Sequence, residues 1–411
     1  MPAEAVAREL APYVEAFERT EHSPAQRAAL ERFLAAGFPG PHDEDWKFTS
    51  LNALARMNFE PADPGYAADA GESGLLAGLP GNAPRMVFVN GFFAPYLSQV
   101  SPESVMLETL RDTQPRYADL SKPFIALNAA FASGGALLRV PARAVVEQPV
   151  YFIYLSLPGA RATFSTPRNL VVVEEGAQAS MVECYLGTGT YFTNALTEIR
   201  AGGGAVVEHC KIQRESDEAF HISTVWIEQG RDSVVASRNF AFGGALARTE
   251  IVARLDQGSE CTLNGLYLTD GARHVDTRTT IDHARPHATS HELYKGILDG
   301  RSSAVFNGKI LVRPDAQKTD AKQTNKNLVL SEEATINTKP QLEIFADDVR
   351  CTHGATVGQL DGESIFYLRS RGIGLEEARR MLIEAFAREI IDGVKAAELR
   401  EYLGRYLWPT R

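Results

Sequence analysis

The spacing of hydrophobic positions changes twice along the chain. Near the N-terminus, Val6, Leu10, Val14 and Phe17 recur at helical spacing. A second helix is expected from Ser23-Pro24-Ala25-Gln26: Ser23 can cap, Pro24 suits the first turn, and Gln26 stands at the capping-box position. Leu30, Phe33 and Leu34 carry that helix to Gly37. Asp45-Trp46-Lys47-Phe48-Thr49 precedes a short helix expected over Leu51 to Arg56. Residues 58–84, rich in Gly, Pro, Ala and Asp, read as a linker or poorly ordered loop. Phe88-Val89-Asn90-Gly91-Phe92 reads as a hairpin turning at Asn-Gly. Residues 122–136 read as a further helix closed by Gly134-Gly135.

From about Leu137 to about Leu368 the pattern becomes one of short strands rich in Val, Ile, Thr and aromatics. Gly176, Gly203, Gly230 and Gly258 punctuate them at steps of about 27 residues. Asp299-Gly300 opens a further unit, and Glu332-Glu333-Ala334 opens one without the glycine. Strand repeats of this length suggest stacked coils of a β-helix; a β-sandwich of unrelated hairpins is the competing reading. Within the stretch, a polar run from Lys318 to Lys326 leads into an apolar strand at Leu328-Val329-Leu330, and Gln341 to Phe345 reads as another strand.

The last segment returns to helical period. Acids at Glu376 and Glu377 suit a first turn. Leu375, Ala378, Met381, Leu382, Ala385, Phe386 and Ile390 lie along this helix, most of them on one stripe. Gly393 interrupts before a shorter helix, Ala396 to Tyr406. Such a helix can cap the end of a coil or present an apolar face to a partner. The expected organisation is an N-terminal helical region with a linker (1–136), a coil core (137–370) and a C-terminal helical region (371–411).

The 411 residues are 44% hydrophobic and 23% charged, ordinary globular composition. A net charge of -10 argues against a nucleic-acid partner. No apolar run is long enough to span a bilayer, and the first residues lack a signal-peptide pattern, so a cytoplasmic location is expected. Cys184, Cys210, Cys261 and Cys351 form no CxxC pair, which suggests free thiols in a reducing compartment. The first three read as small buried hydrophobes.

Several chemical candidates fall away on spacing. Asn307-Gly308-Lys309 lacks the glycine spacing of a P-loop and has Ile310 where Ser or Thr is required. His283, His287 and His291 stand four apart, but Pro286 breaks both a helix and a continuous strand face there. Cys351-Thr352-His353 is different: on a strand its thiol and imidazole share one face. Such a pair can hold a soft metal or an iron–sulfur fragment, and Arg350 beside it would lower the thiol pKa. It can equally be two inert packed side chains. Two ligands do not complete a four-coordinate site, so a second chain, a sulfide or a small molecule must supply the rest.

KTDAKQTNKNL, NTKPQLEIFADDVRCTHGATVGQL and IFYLRSRGI, with LYKGIL, AVFNGKI, PFIALNAAF and EDWKFTSL, resemble the SufB/SufD family of iron–sulfur cluster assembly scaffolds, and its SufD branch in particular. The resemblance implies a mainly β fold, a right-handed parallel β-helix flanked by N-terminal and C-terminal α-helical regions. It implies a subunit of a SufBCD complex without its own ATPase, partnered by a SufB-like scaffold and a SufC-like ABC-type ATPase, with a homodimer plausible for the isolated chain. Clusters would be built at the SufB–SufD interface, with His353 and Cys351 as transient metal ligands and the helix from Leu375 to Ile391 as the ATPase-docking region. No cofactor would be stably bound by the chain alone; a transient Fe–S cluster and a reduced FAD belong to the complex. Two alternatives stand beside this: a β-helix enzyme acting on polysaccharide, and a purely structural partner in which Cys351 and His353 only pack.

Overall fold

The computed structural model describes residues 8–62, 70–100, 106–110, 114–132 and 134–407. Strands alternate between two sheets, each pairing with the strand after next. Tyr191–Ala201 pairs with Phe220–Gln229 in one sheet, and Val206–Arg214 with Val234–Ala241 in the other. The pairing is parallel and continues in step to Thr335–Ile344 in the first sheet and Arg350–Gly358 in the second. This is a parallel β-solenoid, which overturns the hairpin-sandwich alternative. Among the named strands of the described residues, antiparallel pairing is confined to the N-terminal end. There Arg85–Val89 meets Phe92–Phe93 through the Asn90-Gly91 turn, and Met106–Thr109 meets Gly135–Val140. Arg85–Val89 also pairs in parallel with Val150–Ser156, so the solenoid begins well before residue 137.

The repeat has a backbone cause. Gly176, Gly204, Asp232, Gly258, His287 and Lys318 all adopt positive φ at one corner of successive coils. Each donates its N–H to a carbonyl in the following coil: Gly176 to Gly203 at 2.9 Å, Asp232 to Gln257 at 2.9 Å, His287 to Gln317 at 2.9 Å. The corner therefore selects a left-handed residue, for which glycine is the cheapest choice. Of the four glycines of the repeat only Gly176 and Gly258 hold this corner themselves; Gly204 holds it beside Gly203 and Asp232 near Gly230, and after Gly258 the corner passes to His287 and Lys318.

Four local expectations are corrected. Lys318 to Leu330 is not a polar run followed by a strand; Asp320–Val329 is one strand, whose interior face carries Gln323, Asn325 and Asn327 and so hides the alternation. Residues 122–136 divide into a helix, Pro123–Phe131, and the start of the strand Gly135–Val140. The described part of 58–84 is packed: Glu60–Pro61 pairs with Thr163–Ser165, and Ala70 and Leu79 are buried. Ile365 to Leu368, read as strand, is helical. Val6, expected in the first helix, lies outside the described residues.

Helices cover the outer faces. α1 (Ala11–Glu18), α2 (Pro24–Ala36), α3 (Asn52–Ala55) and α4 (Pro123–Phe131) build an aromatic cluster over Phe164, Phe192 and Phe220 of the first sheet. Ser23 and Gln26 form the expected capping box of α2. After the last coil the chain turns back as α5 (Gly362–Ser370), α6 (Leu375–Ile391) and α7 (Ala397–Gly404). Ile383, Ala387, Ile390 and Ile391 of α6 with Leu399, Tyr402 and Leu403 of α7 seal the second sheet over Cys184, Cys210, Ile212 and Phe240. No helix is long and apolar enough to cross a membrane among the described residues.

Candidate functional site

Side chains of the second sheet point alternately into the lumen and outward. Ladder partners share a face, so Cys351, His353, Ala355 and Val357 continue the interior columns of Ala321, Gln323, Asn325 and Asn327. In the preceding coil these positions are buried at 0 to 3% exposure. In the last coil no further coil covers them among the described residues: His353 is exposed and Val357 is 54% exposed. On the facing wall Ile344 is 38% and Phe345 62% exposed. The end of the solenoid is thus an open lumen bordered by two strands whose outer edges pair with no strand among the described residues.

The structure places Cys351 and His353 on one face, two positions apart on one strand. Their surroundings differ. Cys351 is half-buried against Ile310, Val312, Ala321, Ala346 and Leu342. Burial pushes its thiol above the ordinary cysteine range, and Asp320 adds to the rise. The expectation that Arg350 lowers this pKa is therefore overturned. His353 stands exposed at the mouth.

Behind the mouth the lumen is polar. Gln323 Nε2 donates to Glu292 Oε2 at 2.7 Å, and Tyr267 Oη donates to Asn327 Oδ1 at 2.5 Å. Burial pushes the Glu292 carboxyl up to about 7. Deeper, Glu183, His209 and Ser237 form a buried chain, with His209 Nδ1 2.8 Å from Ser237 and Nε2 3.2 Å from Glu183. Lys211 beside them is held down to about 8 by burial.

The other candidates are dispersed. His283 is buried in the lumen, 2.9 Å from Ser290, with its imidazole held down to about 4 by burial. His287 occupies a corner and His291 faces outward, both exposed, so the three are not brought together. No metal-competent group of His, Cys, Asp and Glu occurs among the described residues. Gly308 of the rejected P-loop reading sits inside a strand, Ser303–Val312. Cys184, Cys210 and Cys261 are buried as expected, and burial pushes the Cys210 thiol up to about 12.

The stripe on α6 divides. Ala378 and Ile390 are buried, Leu382 and Phe386 are half-buried, and Leu375, Met381 and Ala385 are exposed. Phe386 lies under Lys295, whose Nζ donates to the Phe386 carbonyl at 2.7 Å and stands 4.3 Å from its ring centroid. Sequence reasoning missed α5: it buries no residue, with Phe366 75% and Tyr367 56% exposed. Tyr367 and Leu368 of α5 and Leu382 of α6 line one shallow cleft. The signal was present in Asp361, which caps Ser364 N at 2.9 Å and marks a helix start.

Known proteins resemble this chain in sequence. The family described as SUF system FeS cluster assembly, SufBD core domain, matches residues 156–386. An iron–sulfur cluster assembly SufBD family protein of Synechocystis is 36% identical over 91% of this chain and 88% of its own length. The iron–sulfur cluster assembly protein SufD of Escherichia coli is 32% identical over 93% of this chain and 92% of its own. On the solenoid, the family match and these two full-length likenesses, the chain belongs to the SufBD family of iron–sulfur cluster assembly proteins.

Proposed function

We propose that the chain is a SufD-type scaffold subunit, itself without catalytic turnover, whose open solenoid end joins a SufB-type chain to enclose a site of cluster assembly. The observation that carries this is the last coil: interior columns that are buried in the preceding coil end uncovered, with His353 and Cys351 among them. A partner that supplies the next strands would satisfy both free edges and bury Val357, Ile344 and Phe345. It would also complete the ligand set, since Cys351 and His353 offer only two groups. Iron and sulfide are the cargo of such a site. Burial of both side chains in the assembled complex, away from any interface, would favour the purely structural alternative; in the chain alone His353 is exposed at an edge.

A SufC-type ATPase docks, on this reading, on α5 and the adjoining exposed residues of α6, Leu375 and Met381. These are exposed apolar groups on helices anchored to the solenoid by Ile383, Ala387 and Ile390. Motion imposed on α6 would reach the second sheet through Lys295, which is ion-paired with Glu389.

The test is co-purification of the tagged chain with SufB-type and SufC-type subunits, followed by iron and acid-labile sulfide assays. His353→Ala should lower cluster content while the complex still forms. Phe366→Asp should abolish ATPase capture and leave SufB-type pairing intact. Wild-type cluster content in His353→Ala would remove His353 from the site. Pairing through the same end with a second copy alone would replace the SufB-type partner by a homodimer.

A further inference from the structure

Behind His353 the interior column continues as Gln323 and then Glu292, one residue per coil, because the ladder pairs His353 with Gln323 and Gln323 with Glu292. Neighbouring coils stand about 4.8 Å apart, within side-chain reach. The Gln323 amide is held on two sides. Its Nε2 donates one N–H to Glu292 Oε2 at 2.7 Å, which turns the NH2 half of the amide toward Glu292. On the facing wall stands Gly308, where any Cβ would strike the same amide. The other half, Gln323 Oε1, is buried and has no partner among the described residues. Buried acceptors are normally satisfied, so a fixed, open one points to a donor that arrives. The next member of the column is an imidazole at the open end.

We propose that Gln323 is a positioning residue for His353. When a partner covers the open end, His353 turns over the column and donates a ring N–H to Gln323 Oε1. Its other nitrogen then faces the enclosed space with its lone pair free for iron. Engaging one ring nitrogen with an acceptor fixes both tautomer and orientation of a ligating histidine. Glu292 sets the polarity of the arrangement: with its carboxyl accepting an amide N–H, the oxygen is the half of the Gln323 amide left for His353. The inference rests on the assembly role proposed above for His353.

The experiment uses the chain co-produced with its SufB-type and SufC-type partners. Iron and sulfide per complex, complex yield and thermal midpoint are measured for five forms. These are wild type, His353→Ala, Gln323→Met, the double variant of those two, and the exchange Glu292→Gln/Gln323→Glu. Gln323→Met keeps the volume and removes the acceptor; it should lower cluster content by roughly tenfold, the usual scale for losing an outer partner of a metal ligand. The double variant should fall no further than His353→Ala. The exchange keeps both the internal hydrogen bond and an acceptor at position 323, and should restore content to within about twofold of wild type. Full content in Gln323→Met beside a loss in His353→Ala overturns the positioning role and leaves the scaffold reading standing. Full content in His353→Ala overturns both. Additive losses overturn the coupling. Should Gln323→Met fail to assemble, the exchange decides: an assembled exchange variant without clusters overturns the proposal.

Discussion

The Arg248 guanidinium lies 3.7 Å from the centroid of the Trp46 ring and is ion-paired with the buried carboxylate of Asp276. Arg248 also donates to the Asp45 carbonyl at 3.1 Å, and Thr49 Oγ1 donates to Asp276 at 2.6 Å. The segment Asp45 to Thr49 is thereby strapped across the outside of the first sheet. A charge pair buried this completely is costly to break from one side, because the other charge stays behind.

Arg248→Met should therefore destabilise the chain by about 3 kcal/mol. Lys339→Ala, which breaks the exposed pair with Glu44 next to the strap, should leave stability almost unchanged. Urea unfolding of the two variants checks the contrast. Equal losses would mean that the strap is held by something other than the buried pair.

Glu292 predicts a pH dependence. Its folded-state pKa is raised to about 7 by burial, above the ordinary 4.5. The folded chain then binds a proton more tightly than the unfolded chain, so this contribution to stability is fully present below the unfolded pKa. It is lost as pH rises from about 4.5 through 7, up to about 3 kcal/mol at 1.36 kcal/mol per unit. Glu292→Gln should flatten the stability profile across that window and be the more stable form at pH 8, roughly one unit above the folded pKa. Thermal unfolding of both forms from pH 5 to 8, roughly the span of the window, measures it.

A charge at the mouth should block pairing without harming the fold. Val357 is 54% exposed, so Val357→Asp should leave the thermal midpoint within the scatter of ordinary surface changes, about 0.5 kcal/mol. It should lower capture of a SufB-type chain by tenfold or more, on the order of 1.4 kcal/mol. Pull-down at matched concentrations reads the outcome, and undiminished capture would place the interface elsewhere.

The thiols should sort by burial. Cys184, Cys210 and Cys261 are buried with thiols pushed up by desolvation, so iodoacetamide should leave them unmodified in the native chain. Cys351 is only half-buried, with its thiol also raised by burial, and should be the site alkylated first, and slowly. Site-resolved mass spectrometry gives the order. Covering the open end with a partner should protect Cys351 as well.

The alternation of side chains along a strand makes Cys351 and His353 neighbours on one face wherever that segment is extended, because a strand has no other period. Local rules also reached the α2 capping box, the Asn90-Gly91 hairpin and the coil repeat. They failed where lumen side chains are polar: Gln323 and Asn325 fall within the polar run from Lys318 to Lys326 and Asn327 just beyond it, yet all three are buried and hydrogen-bonded to neighbouring coils. They failed again at α5, whose aromatic Phe366 and Tyr367 suggested a strand while Asp361 was capping a helix.

What the sequence determined by itself is the coil, since corner conformation and strand period are set within about 30 residues of chain. What only the tertiary structure decided is which positions are left without a neighbour. Cys261 and Cys351 stand in one interior column, but Cys261 is covered by further coils and Cys351 stands at the last turn of the solenoid. Exposure of the final column and of α5 depends on where stacking stops and where the chain folds back. That is a property of contacts between residues far apart in sequence, and no local pattern encodes it.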